Sequence, residues 1–152
     1  MSGGMSDANI AAANTAMGNY FAVGDILHTQ PVNPMLPGSA TGASQDARNY
    51  GMTLAAMSQY AQGLNMTVSS AMVTAMMGDA VDGLMDGRKG GSQIAMPMGG
   101  MMGSSMMAPT AATSGLGAAM TAFMNSAANV SGMTAAGMAA LIQKLTNSDG
   151  EL

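Results

Sequence analysis

The chain of 152 residues contains no cysteine and no tryptophan. The missing thiols exclude disulfides, a thiolate zinc site and a catalytic cysteine, and leave the redox compartment open. Charge is also scarce: eight acidic and four basic residues make up 8% of the chain, for a net charge of −4. Ordinary soluble domains carry about 25%. Four cations cannot build the basic footprint a nucleic acid requires, so no nucleic-acid partner is expected. So little charge also argues against a highly charged disordered chain. Only five aromatic residues occur: Tyr20, Phe21, Tyr50, Tyr60 and Phe123. Alternating β-branched runs, the usual strand signal, are nearly absent. The uncharged run from Gly90 to Gln143 is interrupted throughout by Gly, Ser, Thr, Asn and Pro. It does not supply the roughly 20 mostly apolar residues of a spanning helix, and no transmembrane segment is expected. Met1 to Ala8 lacks a basic n-region and an apolar h-region, so no signal peptide is expected there, which fits either a mature form or a piece of a longer chain. No G-x-S-x-G, H-E-x-x-H, P-loop or dinucleotide fingerprint occurs, and no cofactor is expected.

What is present in excess is methionine and glycine, 21 of each. A length near 150 fits a single domain over residues 1–152. The Ala-rich segment 7–23, with Ser6 as a cap, spaces Ile10, Ala13, Met17 and Tyr20-Phe21 as a helix does. Pro31, Pro34 and Pro37 then mark an ordered, extended loop. A second helix is expected over 45–62, capped by Ser44, with Tyr50, Leu54, Met57 and Ala61 as its apolar stripe and Gly63 ending it. A third is expected over 68–82 after Thr67, a fourth over 115–128 capped by Ser114, and a fifth over 134–146 beginning at Thr134. Residues 88–113 lose all periodicity and read as a low-complexity Gly/Met loop, and Asn147 to Leu152 as a polar tail. The expected fold class is therefore all-α: five short helices in hairpins around one long loop. Methionine and alanine would fill the core, since Leu and Ile are few. Such a core specifies its packing weakly, which is a physical motive for burying helix faces against further copies of the chain.

Three groups of side chains could carry chemistry. Met96, Met98, Met101, Met102, Met106 and Met107 place six thioethers within twelve residues. Thioethers are soft ligands, and a flexible Gly loop could wrap them around Cu(I) or Ag(I). Against this, the other 15 methionines lie elsewhere, so the cluster partly reflects a chain-wide bias. Asp79, Asp82 and Asp86 fall on one face if the helix continues, and could offer oxygens to Ca²⁺. The plainer reading is a helix end, with Asp-Gly turns and solvated acids beside Arg88 and Lys89. His28 is the only imidazole; with Asp25 three residues upstream it could be a general base, but nothing in the sequence fixes a nucleophile beside it. Asn65-Met-Thr67 and Asn129-Val-Ser131 match the N-glycosylation pattern.

The segments Tyr20 to Pro34, with its His28-Thr-Gln-Pro31 loop, and Asn49 to Ala61, together with the Asp79/Asp82/Asp86-Gly run, resemble a helical module. That module occurs in secreted proteins and lipoproteins of environmental, often metal-reducing, bacteria, commonly beside β-sandwich or Ig-like repeats. The resemblance spans about Ala11 to Leu145. The chain departs from it in using Met for Leu and in lacking β repeats. It implies an extracellular or cell-surface location, a structural or adhesive role and no catalytic residues. The sequence therefore leads to a non-enzymatic, extracellular structural or interaction module that self-assembles into a homo-oligomer, a filament subunit in its sharpest form, or serves a parent surface protein. Soft-metal binding through Met96 to Met107 is the alternative.

Overall fold

Residues 6–66, 68–99 and 103–152 are described in a computed structural model. Helix α1 (Asp7–Phe21) begins where Ser6 Oγ accepts the Asn9 N–H, and α2 (Gln45–Gly63) where Ser44 Oγ accepts that of Ala47. Each hydroxyl satisfies one of the N–H groups that a helix start leaves open. Helix α3 (Ser70–Asp79) runs into a single 3-10 turn, Ala80–Asp82. Helices α4 (Ser114–Met124) and α5 (Ala135–Thr146) follow, and Thr134 caps α5 by accepting the Gly137 N–H at 3.2 Å. Helix α4 packs between α2 and α5, and α3 packs on α2. Among the described residues no helix is long and apolar enough to cross a membrane.

The expectation of an all-α fold is overturned. Two antiparallel hairpins occupy part of the stretch read as a structureless loop. Strand β1 (Arg88–Lys89) pairs with β2 (Ser92–Gln93), and β3 (Ala95–Pro97) with β4 (Ser104–Met106). The first hairpin turns on Gly90 and Gly91, with φ of +55° and +82°. Two consecutive left-handed residues match the twist of the flanking strands, and glycine adopts them without steric cost. In the second hairpin Met96 turns inward and is buried, while Ala95 and Pro97 stay exposed. That is a period of two, in which the inward residue is methionine rather than a β-branched residue.

Helix ends also shift. Helix α1 stops at Phe21 because Ala22 turns left-handed (φ 52°) and the Val23 N–H closes back on Gly18 O at 2.8 Å. Gly63 is the last residue of α2 rather than its stop; Asn65, at φ 55°, takes the left-handed position. Thr67, the expected cap of α3, lies outside the described residues. Ser114 is already helical, and α4 ends at Met124, where Ser126 N–H and Oγ both donate to Phe123 O. The buried side of α2 is carried by Met52, Thr53, Ala56, Met57 and Ala61, which keeps Met57 and Ala61 of the expected stripe but leaves Leu54 exposed. The C-terminal residues are no free polar tail. Glu151 bridges Leu84, the Met85 N–H donates to Gly150 O at 2.8 Å, and the Leu152 N–H to Gly83 O at 3.1 Å.

Methionine does fill the core. Among the described residues the buried cluster holds Met52, Met57, Met72, Met76, Met85, Met96, Met107, Met120, Met133 and Met138, but only Leu116, Leu141 and Leu145 of the leucines. Unbranched thioethers suit the irregular gaps left between short helices, hairpins and loops.

Candidate functional site

The proline loop builds a groove of about 400 Å³ between itself, α2 and the end of α4. Its position follows from backbone chemistry. The Val32 N–H donates to Ala47 O at 3.0 Å, although α2 runs directly beneath. Only glycine permits this approach at position 51, where a Cβ would lie 2.1 Å from Val32 O. Asn33 Oδ1 accepts the Met35 N–H at 3.0 Å, and Ser39 Oγ donates to Asn33 O at 2.6 Å, closing a side-chain turn. Val130 pins the loop from the other side: its N–H donates to Pro34 O at 3.0 Å and its carbonyl accepts from Gly38. The groove is lined by Pro31, Val32, Pro34, Met35, Leu54, Ala55, Phe123 and Ala128, with Asn33, Ser58, Gln59 and Gln62 as its polar members and no charged side chain. Around it Met35 is 66% exposed, Leu36 56%, Val130 43% and Leu54 39%.

The proposed calcium ligands are put to a different use. Asp79 ends α3, Asp82 lies in the 3-10 turn and Asp86 in the bend beyond, so the shared helix face does not form. Asp79 is fully buried, and its Oδ1 accepts the N–H groups of Asp86 (3.1 Å), Gly87 (2.7 Å) and Arg88 (3.0 Å). Three successive N–H groups converging on one oxygen form an anion nest, here filled by the chain's own carboxylate. Asp79 Oδ2 is buried without a partner. Burial pushes the Asp79 carboxyl above its usual range, against the pull of the three N–H donors. Asp82 Oδ2 accepts the Gly90 N–H at 2.9 Å, which holds that carboxyl below the usual range. Asp86 Oδ1 accepts the Arg88 N–H at 3.0 Å. Each acid thus secures the turn into the first hairpin. Among the described residues no three His, Cys, Asp or Glu side chains are grouped to hold a metal ion.

The methionine cluster is divided. Met96 and Met107 are buried in the core, Met98 is half-buried in a bridge to Met66, and Met106 is exposed on β4. Met101 and Met102 lie outside the described residues. The β3 pleat turns Met96 inward, whereas β4 is exposed throughout and only the residue beyond it, Met107, re-enters the core.

His28 and Asp25 do meet. Nδ1 stands 2.6 Å from Asp25 Oδ2, on the surface, with His28 81% exposed. Asp25 Oδ1 accepts from Asn14 Nδ2 at 2.9 Å, and the His28 and Asn14 hydrogen bonds hold the carboxyl below its usual range. Asn14 Oδ1 in turn accepts the Ile26 N–H at 2.9 Å. The arrangement ties the loop to α1. The glycosylation candidate Asn129 is similarly occupied: Nδ2 donates to Met124 O and Met133 O, and Oδ1 accepts from the buried Ser131.

Two features escaped the reading of the sequence. The Lys89-Gly90-Gly91-Ser92 step is a two-residue hairpin signal in its own right. The groove left no local signal, because it depends on Gly51 and on residues from α4 more than 60 positions from the second helix's start. No family model matches the chain, and comparison with curated proteins and with solved structures likewise finds no match.

Proposed function

We propose that this chain is a non-enzymatic structural or interaction module, extracellular or at the cell surface, that associates with copies of itself, as a filament subunit in the sharpest form. The observation that carries the reading is the uncharged groove lined by the exposed Met35 and Leu54, with exposed Leu36 and Val130 adjoining its wall residues Met35 and Pro34. Large apolar side chains gathered around one concave surface mark an interaction site more often than scattered ones do. Covering them demands no desolvation of charge, which removes the main cost of extended subunit contact.

Strand β4 supports the same reading. Ser104, Ser105 and Met106 are all exposed, and β4 is an edge strand with no charged residue. Such edges are open to pairing with another chain. Sedimentation equilibrium of the purified protein tests the proposal. Association in the micromolar range is expected, and Leu54→Glu with Met35→Lys should shift it to monomer. A well-folded monomer at high micromolar concentration overturns it.

A further inference from the structure

A second, smaller cavity of about 200 Å³ lies away from the groove, between α2, the loop at 40–41 and the start of α5. Arg48 is the one charged residue lining it. On α2 no acid stands three or four residues from Arg48, the spacings at which helical ion pairs form. Among the described residues its guanidinium has a single hydrogen bond, from Nη2 to Ala40 O at 3.0 Å, and Nε is buried without a partner. A buried, unsatisfied guanidinium N–H is costly and calls for a physical explanation.

The remaining wall is sorted by hydrogen-bonding role. Several of its acceptors are taken. Ala40 O serves Arg48, Ser131 O serves the Ala40 N–H, Ser131 Oγ accepts the Met133 N–H, and Gly137 O accepts from Gln45. Thr134 Oγ1 accepts the Gly137 N–H as the α5 cap, which leaves its own O–H available to donate. The N–H of Gly132, on the same wall, has no protein acceptor among the described residues. The donors open to a ligand are the Nη N–H groups of Arg48, the Thr134 hydroxyl and the exposed Gly132 N–H, and no carboxylate on the wall neutralises Arg48.

We propose that this cavity is a binding site for a small oxyanion, a carboxylate or a phosphate, held by Arg48 with Thr134 and Gly132. A cavity lined by surplus donors, one fixed cation and no acid selects oxygen-rich anions, and a guanidinium engages them through two parallel N–H bonds. The volume suits an ion or a short acid; drug-sized ligands occupy about 300 Å³ or more. The inference stands apart from self-assembly and does not depend on it.

The test is a titration of the full chain with sodium phosphate and, separately, sodium acetate, at ionic strength held constant with sodium chloride. Amide resonances are followed by NMR, thermal unfolding in parallel. Saturable shifts centred on Gly132 and Thr134 are expected, with a midpoint in the millimolar range or below. Arg48→Gln, which can still donate to Ala40 O, should weaken binding at least tenfold. Thr134→Asp is the sharper variant. Aspartate caps a helix as well as threonine does, so α5 should unfold no earlier, yet its charge would expel the anion. A response to either phosphate or acetate that both variants abolish supports the site, and which anion responds identifies the preferred geometry. Shifts that do not saturate, that are spread over the surface, or that persist unchanged in both variants overturn it.

Discussion

Asp79 offers a perturbation whose magnitude can be worked from geometry. Replacing it with alanine strips the acceptor from three N–H groups at once. The Gly87 N–H is buried, and leaving such a donor unpaired costs about 1–3 kcal/mol. The Asp86 and Arg88 N–H groups are only part-buried and can turn to water, so each loses nearer to about 0.5–1 kcal/mol. Asp79→Ala should therefore destabilise the protein by about 2–5 kcal/mol, at about 2–4 °C of melting temperature per kcal/mol for a chain of this size. Asp79→Asn retains Oδ1 and all three hydrogen bonds, and should stay within about 1 kcal/mol of the wild type at neutral pH. The two proteins separate with pH. Burial raises the Asp79 carboxyl in the folded state, so the folded chain holds that proton more tightly than the unfolded chain. The stabilisation this represents is complete below the unfolded value, about 3.9, and is lost as pH rises through the raised folded value. Urea unfolding followed by circular dichroism at about pH 4, 5.5 and 7 should show the wild type losing ground to Asp79→Asn as pH increases. If Asp79→Asn is as unstable as Asp79→Ala at pH 7, charge rather than the acceptor oxygen secures the turn, and the reasoning fails.

Other consequences follow from single contacts. Gly51→Ala forces a Cβ to within 2.1 Å of Val32 O, and should cost about 3 kcal/mol or more by thermal unfolding, displacing the proline loop. Gly63→Ala, in the same helix with nothing within 4 Å of the added Cβ, should instead stabilise by about 0.5–1 kcal/mol; equal effects at the two positions would refute the close-approach argument. Tyr20 donates to Ala112 O at 3.1 Å and accepts from Ser148 at 3.3 Å, in a site whose burial raises the phenol. Tyr20→Phe should therefore cost about 1–2 kcal/mol, and hydrogen exchange should show the C-terminal segment opening first. The Asp25 carboxyl is held below its usual range, so its contribution is present above the unfolded value and fades as pH falls through the lowered one. Asp25→Asn should flatten the acid limb of the stability profile, and an unchanged limb would remove this carboxylate from acid unfolding.

The five helices were legible because their signals are local. Ser6, Ser44 and Thr134 precede apolar periodicity, and a hydroxyl needs only the next turn's N–H to act as a cap. The use of methionine as core filler was legible from scarcity, since too few leucines and isoleucines exist to do it. The two hairpins were missed because their strands are two or three residues long and carry Met, Ser, Gln and Pro, so propensity is silent and only Gly90-Gly91 spoke for the turn. The site residues divided in the same way. The spacing of Asp25 and His28 left their contact open, and only the folded loop sets Nδ1 against Asp25 Oδ2, on the open surface.

The sequence alone therefore determined the helices, the composition of the core and the scarcity of charge, all of which depend on neighbours within a turn or on simple counts. Tertiary structure alone decided the roles of particular side chains. Asp79, Asp82 and Asp86 became turn anchors because the chain folds back and presents its own N–H groups to them. Met96 became core because the β3 pleat turned it inward, and Met107 because the chain enters the core just past β4. Arg48 and Thr134, 86 positions apart, face one cavity because the Ala40 N–H donates to Ser131 O and Gln45 to Gly137 O, which brings the start of α5 to the start of α2. These outcomes rest on which groups remain unpaired after the chain has closed, and only the closed chain reveals that.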